Sequence, residues 1–322
     1  MSGPQFFDEG DLVAVLTSQP LDRMFDYRAP AGGCWQGAFV EVPLGPRKVL
    51  GVIWSPGIGD FDYAKIRSVT RVLDVAPMLQ SMQEFLRRVA DYTLTPMPKM
   101  LRLAARAPGL GDPPSMRLVY RIGDVVITRM TDNRQRVLAV LEEFSGQSFT
   151  LKELTEAAEV TSSVIKGLVK LGAVEEHATQ QDMPFPILDP SLPSKELSAD
   201  QGAAVGLLLS NSCGYNTTLL KGVTGSGKTE VYLEAVSACL KQGRQALVLL
   251  PEIALTAEFL ARVEVRFGAR PAEWHSGVTM TERRRTWKMV SQGHAQMVVG
   301  ARSALFLPFQ NLGLIVVDEE HD

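Results

Sequence analysis

The sequence is poor in cysteine, and its three cysteines stand far apart. Cys34, Cys213 and Cys239 form no Cys-x-x-Cys pair, which excludes a zinc site built from these residues alone. We expect reduced, buried thiols in a cytoplasmic protein. Long apolar runs are also lacking: none reaches membrane-spanning length, and the N-terminus has no charged and apolar regions of a signal peptide. We therefore expect no membrane partner.

An excess of positive charge is lacking as well. The 322 residues carry 33 lysines and arginines against 36 aspartates and glutamates, a net charge of −3. Any contact with nucleic acid would therefore depend on local clusters of basic residues. The apolar content of 45% is typical of a globular protein, and the length suffices for two or three domains.

A glycine-rich loop is the most informative stretch that is present. The apolar run Thr217–Leu220 predicts a buried strand, and residues 230–240 predict a helix. Between them lies Gly-x-x-x-x-Gly-Lys-Thr, whose glycines let backbone N–H groups point at an anion beside a helix N-terminus. The alternative is an ordinary strand–helix turn. The candidate nucleotide-binding residues are Gly222, Val223, Thr224, Gly225, Ser226, Gly227, Lys228, Thr229 and Glu230.

An acidic box near the end of the chain completes this candidate site. Lys228 is predicted to reach the terminal phosphates of a nucleotide, and the Thr229 hydroxyl to hold its Mg²⁺. The apolar run 312–317 predicts a strand that ends in Asp-Glu-Glu-His, the DEEH box. Ligands of open α/β sheets collect at this edge. We therefore predict Asp318 as the second Mg²⁺ anchor and Glu319 as the group that activates water. Alone, the box could be a solvated acidic turn.

The rest of the sequence indicates a multidomain α/β protein. Short β-rich runs over 11–73 predict a small barrel or sandwich, followed by a helix over 77–92. A proline-rich linker precedes strands alternating with helices, which predict a parallel sheet. The predicted domains are 1–108, 109–180, a linker 181–195, and 196–322. The predicted strands of the sheet are 217–220, 246–250, 272–275, 296–300 and 313–317.

The second of these domains has the pattern of a winged helix. Helices are predicted over 134–144, 150–159 and 161–171, with Thr150 and Glu153 as a capping box, and a wing strand over 174–178. The third helix is predicted to contact DNA through Lys166 and Lys170. A protein-contact role is the alternative.

The ordered motifs of the last domain resemble those of superfamily 2 helicases. They are LSADQ at 197–201, GVTGSGKTEVY at 222–232, LPEIALT at 250–256, WHSG at 274–277, GARSALF at 300–306 and LIVVDEEHD at 314–322. The residue sequences of these motifs are similar to those of the primosomal protein N′ family of replication-restart helicases. The resemblance implies a RecA-like P-loop NTPase lobe that uses ATP and Mg²⁺.

The same resemblance implies an ATP-dependent 3′-to-5′ DNA helicase that binds stalled or branched forks and initiates primosome assembly. Gln201 would read the adenine, because an amide can donate and accept at once. Thr256 and Arg302 would contact phosphates of single-stranded DNA. His321 would couple nucleotide state to DNA state. The implied partners are branched and single-stranded DNA, single-strand binding protein and primosome proteins.

Three N-terminal stretches are similar to the domain with which this family holds the 3′ end of a nascent strand. They are residues 23–27, 42–45 and 65–74. Phe25, Asp26 and Gly45 would shape the end-binding pocket, and Lys65 or Arg67 would supply a basic contact. Met24 departs from the family pattern. On residue type alone, Phe25 and Tyr27 are better explained as core aromatics.

The chain ends at Asp322, directly after the acidic box, whereas the family continues. We therefore expect an N-terminal fragment without the second helicase lobe and its arginine. Such a fragment should bind nucleotide weakly and unwind little DNA. Zinc is expected only in the family's later, cysteine-rich portion, with no zinc ligands in this chain. The alternatives are another superfamily 2 translocase and a non-catalytic DNA-binding fragment. His275 is predicted to be structural, and Arg283, Arg284, Arg285 and Lys288 to form a solvated helix face.

Overall fold

The computed structural model describes residues 4–21, 23–59, 63–105, 109–110, 112, 116–144, 147–180, 182–210, 214–223, 225–251 and 256–318. The chain divides into two compact units. One comprises Met1–Gly111 together with Pro184–Asp322, and the other is Asp112–Met183. The first unit is therefore built from two separate stretches of sequence, a barrel domain (4–105) and an α/β segment (184–318).

The barrel domain consists of short β-strands, as predicted. They are β1 (Phe6–Phe7), β2 (Leu12–Thr17), β3 (Phe25–Arg28), β4 (Cys34–Trp35), β5 (Phe39–Leu44), β6 (Arg47–Pro56) and β7 (Arg71–Val72). Five of them form an antiparallel sheet in the order β3-β2-β6-β5-β7. A parallel bridge between Arg28 and Ser68 joins edge strand β3 to the segment that leads into β7. This contact, the closing seam, links the two edges of the sheet.

Two helices follow the barrel, α1 (Gln80–Thr93) and α2 (Met97–Ala104). Apolar side chains recur along α1 at helical intervals, and Leu86 and Ala90 on this face are buried. The helix ends at Leu94, which takes the left-handed conformation with φ 50°. The helix predicted over 77–92 is thus confirmed with its start three residues later.

Among its described residues, the second unit contains three helices and one strand pair. They are β8 (Met116–Ile122), α3 (Asp132–Glu143), α4 (Leu151–Ala157), α5 (Ser162–Lys170) and β9 (Val174–Gln180). The predicted wing strand is present, but it pairs antiparallel with β8, a strand that precedes the helices. The winged-helix assignment therefore stays a prediction. Lys166 and Lys170 lie exposed on α5.

The predicted capping box at the start of α4 is confirmed. The Thr150 hydroxyl accepts from the Glu153 N–H at 3.3 Å, and the Glu153 carboxylate accepts from the Thr150 N–H at 2.7 Å. These hydrogen bonds, together with the positive charge of Arg117, lower the pKa of Glu153 below its ordinary value. A lowered carboxyl pKa stabilises the folded state above the ordinary pKa and loses that effect as the pH falls.

Thr150→Ala is expected to weaken α4 by about 1 kcal/mol, seen as faster amide exchange of its N–H groups after correction for intrinsic rates. In the parent chain this protection should fall as the pH drops below about 4.3, the ordinary glutamate pKa. Glu153→Gln should remove that pH dependence. Unchanged pH dependence in Glu153→Gln would show that another group controls the helix.

The α/β segment alternates helices and strands. Its elements are α6 (Ala199–Ser210), α7 (Lys228–Lys241), β10 (Gln245–Leu249), α8 (Ala257–Phe267), β11 (Ala272–Trp274), α9 (Met280–Ser291), β12 (Met297–Gly300) and β13 (Leu312–Val317). The strands form a parallel sheet in the order β11-β12-β10-β13. Four of the five predicted strands and the parallel sheet are therefore confirmed.

The fifth predicted strand, Thr217–Leu220, is wrong. These residues form no strand, and Leu219 is 72% exposed. An apolar run becomes a strand only where a neighbouring strand and a covering surface are available. Among the described residues no strand pairs with the outer edge of β13, where Ile315 and Val317 are 45% and 56% exposed. The outer edge of β13 is therefore open among the described residues, and the run Thr217–Leu220 does not pair with it.

The arginines of α9 also depart from the prediction of a solvated face. Arg283 is buried; its guanidinium donates to the His275 and Val278 carbonyls and lies over the Trp274 ring. Arg285 donates to the Pro184 carbonyl. Guanidinium groups can be buried when carbonyls and aromatic faces receive their charge. His275 follows β11 and accepts from the Gly277 N–H, consistent with a structural role.

The barrel domain and the α/β segment share one hydrophobic core. It includes Phe39, Leu86 and Leu101 from the former and Leu247 and Trp287 from the latter. The Trp287 indole N–H donates to the Ala104 carbonyl at 2.7 Å, and its ring meets Phe39 edge-to-face at 5.4 Å. Trp287 of α9 therefore ties the two stretches of the first unit together.

Cys34 and Cys239 are buried free thiols, as predicted. Burial raises the pKa of both, that of Cys34 to about 11 with a further contribution from Asp11. Cys213 lies outside the described residues. Within the described part of the chain, no group of three or more His, Cys, Asp or Glu side chains could hold a metal ion.

Candidate functional sites

The glycine-rich loop lies at the N-terminus of α7, where the sequence predicted a phosphate site. Gly225 and Gly227 have φ of +79° and +78°, a conformation that side chains with a Cβ rarely adopt. Gly227 is the N-cap residue of α7, so the first N–H groups of the helix begin at the loop. Thr224 lies outside the described residues. The described loop therefore has the backbone geometry for an anion at a helix start.

Two side chains close over this loop. The Lys228 ammonium donates to the Gly222 carbonyl at 2.8 Å and to the Val223 carbonyl at 3.4 Å. The Gln201 amide donates to the Ser226 carbonyl at 3.0 Å and accepts from the Ser198 N–H at 2.9 Å. A Cβ on Gly227 would collide with the Gln201 amide. Gln201, assigned to adenine from the resemblance, thus lies directly on the loop.

The two candidate magnesium ligands are linked by a third residue, Tyr232. Its hydroxyl donates to Asp318 Oδ2 at 3.1 Å and lies within reach of the Thr229 side chain. Tyr232 is 5% exposed. Burial raises its pKa, while the Thr229 hydrogen bond lowers it and the Asp318 charge raises it. The phenol therefore stays protonated and able to donate.

Sequence reasoning missed Tyr232, although a signal was present. The residue follows Thr229 by three positions on α7, so both lie on the same face of the helix. That face points at the end of β13, where the Asp318 N–H donates to the Leu249 carbonyl at 3.0 Å. A tyrosine hydroxyl on that face could be expected to meet an acid at the strand end.

These residues fit a nucleotide with its Mg²⁺. The loop offers backbone donors and a lysine to phosphates, and Thr229 with Asp318 offers the oxygen ligands that Mg²⁺ prefers. Glu230 also lies here and forms an ion pair with Lys195 at 3.8 Å. Glu319 and His321, predicted to activate water and to couple the two sites, lie outside the described residues.

The two predicted contacts to single-stranded DNA lie elsewhere in the α/β segment. Thr256 is the N-cap of α8, and its hydroxyl accepts from the Phe259 N–H at 3.3 Å. This capping bond alone would account for a threonine here. Arg302 is exposed at the first position of a short 3-10 helix after β12. Both stay predictions as DNA contacts.

A small cavity in the barrel domain brings the candidate end-binding residues together. Its volume is about 180 Å³. The five residues assigned from the resemblance, Phe25, Asp26, Gly45, Lys65 and Arg67, all line it, with Tyr27, Pro43 and Ile66. We call this cavity the end pocket. The two readings of Phe25 and Tyr27 are compatible, since both pack against the barrel core as well.

Hydrogen bonds fix the walls of the end pocket. The buried Asp26 carboxylate accepts from the Ile58 N–H at 2.9 Å and the Gly59 N–H at 2.7 Å, which holds the loop after β6. Arg67 donates to the Gly45 carbonyl at 3.1 Å. The Tyr27 hydroxyl donates to the Pro43 carbonyl at 3.0 Å. Each carboxylate oxygen of Asp26 keeps a second lone pair for a further donor.

Two family models match separate stretches of the chain. Residues 13–106 match the 3′DNA-binding domain (3′BD), and residues 198–322 match the DEAD/DEAH box helicase family. The end pocket lies in the first match and the glycine-rich loop in the second. The class thus defined is a helicase-type protein that uses nucleotide and combines a 3′ DNA-binding domain with a DEAD/DEAH box domain.

Curated relatives narrow this class. The chain is 32% identical to the replication restart protein PriA of Chlamydia pneumoniae, over 96% of this chain and 43% of the relative. It is 33% identical to PriA of Haemophilus influenzae (97% and 44%) and 28% identical to PriA of Bacillus subtilis (97% and 49%). The chain belongs to the PriA family of replication restart proteins. It spans less than half the length of these relatives.

The family assignment agrees with the DNA-binding character expected from the sequence. In the described ranges, no helix is both long and apolar enough to cross a membrane.

Proposed function

We propose that this chain supplies the DNA-end-binding and first nucleotide-binding parts of a helicase that acts at stalled replication forks. In this function ATP drives 3′-to-5′ unwinding and primosome proteins assemble on the fork. The convergence of Phe25, Asp26, Gly45, Lys65 and Arg67 around one small cavity carries the proposal. The names of the relatives support it.

The end pocket suits a terminal nucleotide with a free 3′ hydroxyl. A hydroxyl at the end of a strand can donate to the Asp26 carboxylate, whereas a 3′ phosphate would bring negative charge against it. Lys65 and Arg67 are exposed cations beside that carboxylate and can pair with the preceding phosphate. Phe25 offers an apolar surface to the sugar or base.

In the nucleotide site, Lys228 would hold the terminal phosphates, with Thr229 and Asp318 holding Mg²⁺. Bound Mg²⁺ would neutralise charge as the terminal phosphate is transferred to water. Tyr232 would orient Asp318 through its hydrogen bond, Gln201 would read the adenine, and Glu319 would activate the water. Thr256 and Arg302 would contact single-stranded DNA, and His321 would couple the two sites. The second unit, as a winged helix, would contribute Lys166 and Lys170 to DNA.

Binding to two forked DNAs that differ only in a free or phosphate-blocked 3′ end tests this function. Fluorescence anisotropy should show about tenfold tighter binding to the free end, the worth of one charge-assisted hydrogen bond. Asp26→Asn, which keeps one acceptor for the loop amides, should reduce the preference. Arg67→Ala should weaken binding to both forks. Arg87→Ala removes an exposed arginine from α1 and is the matched control. Equal binding to both forks would reject end recognition.

Tyr232→Phe tests the positioning of the magnesium ligands. The variant keeps the buried ring and removes only the hydroxyl that donates to Asp318 beside Thr229. We expect affinity for a fluorescent ADP analogue to fall about fivefold with Mg²⁺, and to stay unchanged with excess chelator. Tyr215→Phe, at a 97% exposed tyrosine, is the control. An equal loss with and without Mg²⁺ would contradict a role through the metal.

A further inference from the structure

A larger cavity lies beside the end pocket in the barrel domain. Its volume is about 810 Å³, and we call it the seam cleft. Its walls include two exposed aromatic rings, Phe6 and Trp35, which meet edge-to-face with centroids 4.9 Å apart. Two arginines, Arg28 and Arg71, and one acid, Glu9, also line it. None of the residues assigned to the end pocket is among these.

The seam cleft and the end pocket occupy consecutive parts of the closing seam. Residues 25–27 and 65–67 line the end pocket, whereas residues 28–35 and 68–72 line the seam cleft. The division falls at the bridge between Arg28 and Ser68, where Arg28 N–H donates to the Arg67 carbonyl at 2.9 Å. Consecutive Cα atoms are 3.8 Å apart. The two cavities therefore adjoin along the seam, so that a strand whose 3′ end lies in the end pocket can reach the seam cleft with the one or two nucleotides before that end.

The lining of the seam cleft has the chemistry of a single-strand binding surface. Trp35 is 49% and Phe6 42% exposed, although both are large apolar side chains. Exposed aromatic rings beside cations bind single strands without sequence preference, because every base has a face that can stack. Arg71 forms a 3.8 Å ion pair with Glu41, and its side chain is 45% exposed. Such an exposed pair is weak, so a phosphate can compete for the guanidinium.

We propose that the seam cleft binds the nucleotides that immediately precede the 3′ end, as single-stranded DNA. A base stacks on the Trp35–Phe6 pair, and Arg71 faces the backbone phosphates, whereas the Arg28 guanidinium donates to the Tyr63 carbonyl and lies over the Tyr63 ring. This inference rests on the proposed end recognition and extends it from one terminal nucleotide to a short single-stranded track. The cleft adds affinity that depends on strand length, while the end pocket provides the preference for a free 3′ hydroxyl.

Tryptophan fluorescence offers a direct test with the whole chain. All four tryptophans lie in the described residues, and Trp54, Trp274 and Trp287 are at most 2% exposed. Stacking of a base should therefore quench Trp35 selectively. We expect a hexanucleotide with a free 3′ hydroxyl to quench the emission and to bind about tenfold tighter than a dinucleotide with the same 3′ end. A hexanucleotide that is abasic at its second to fourth positions from the 3′ end should do neither.

Trp35→Ala should remove the length-dependent gain and leave dinucleotide binding unchanged. Tyr92→Ala, which truncates a 91% exposed aromatic outside the cleft, is the control. Absence of quenching, or equal affinity for the two strand lengths, would overturn the role of the seam cleft in binding DNA. An intact preference for the 3′ hydroxyl in the same experiment would still support the proposed function. Quenching that persists with a 3′ phosphate at unchanged affinity would overturn the placement of this track behind a recognised end. The abasic strand tests stacking even if Trp35→Ala fails to fold.

Discussion

Gly37→Ala is expected to destabilise the barrel domain by about 3 kcal/mol or more. Gly37 has φ +86°, and a Cβ there would collide with the Met78 carbonyl. The same residue donates to the Ile53 carbonyl and accepts from the Met78 N–H, both at 2.8 Å. It thus connects β6 to the segment that leads into α1. The methyl group would force these two backbones apart, because neither contact involves a flexible side-chain end.

Gly10→Ala is the control that separates the steric collision of a Cβ from the conformational cost of a positive φ. Gly10 has φ +87°, almost the same as Gly37, and a Cβ there would meet no atom within 4 Å. We expect Gly10→Ala to cost only about 1–2 kcal/mol. Amide exchange of β2 and β6, read with increasing denaturant, measures both variants. Equal losses for the two would show that Met78 moves aside freely.

Trp287→Ala should loosen both halves of the first unit, by about 3–5 kcal/mol. The indole is 2% exposed in the core that the barrel domain and the α/β segment share. Its removal leaves a cavity against Phe39 and leaves the Ala104 carbonyl without this donor. Trp287→Phe keeps an aromatic ring and loses the N–H, so we expect about 1 kcal/mol.

Peptide-resolved amide exchange distinguishes shared from local loosening. In Trp287→Ala, α2 and α9 should lose protection together, because Trp287 belongs to α9 and donates to the Ala104 carbonyl of α2. The second unit, residues 112–183, has its own core and should keep its protection. Loss confined to α9 would mean that the barrel domain is stable without its partner.

Features decided by neighbours in sequence were predictable. The capping box at Thr150 needs only residues three apart, and the glycine-rich loop needs only its own backbone and the helix behind it. The four β-strands β10 to β13 were found by their apolar runs, and β10 and β12 are buried along their whole length, as expected of a strand inside a parallel sheet. For the end pocket, the resemblance named five residues that the fold then placed around one cavity.

Features decided by distant partners were not predictable. The run Thr217–Leu220 has the composition of a β-strand, but whether it forms one depends on pairing with another strand. No local pattern encodes that pairing. Arg283 is buried because its guanidinium lies over the Trp274 ring and donates to the His275 carbonyl. A run of charged residues in the sequence does not indicate these contacts. The strand β8, missed by local pattern, is defined by pairing with β9 across three helices. The Phe6–Trp35 pair and the cleft beside it likewise depend on β1 meeting β4.

The shared core also sets an order of events during synthesis. Leu86 and Leu101 leave the ribosome early, but their partners Leu247 and Trp287 follow only after the second unit has been made. Until then the barrel domain carries an uncovered apolar face, whereas residues 112–183 can complete their own core at once. A nascent chain halted after the second unit but before Leu247 would hold one folded unit and a barrel domain with an exposed apolar face. Chaperones that bind exposed apolar surface should therefore meet this protein mainly through its α1–α2 face.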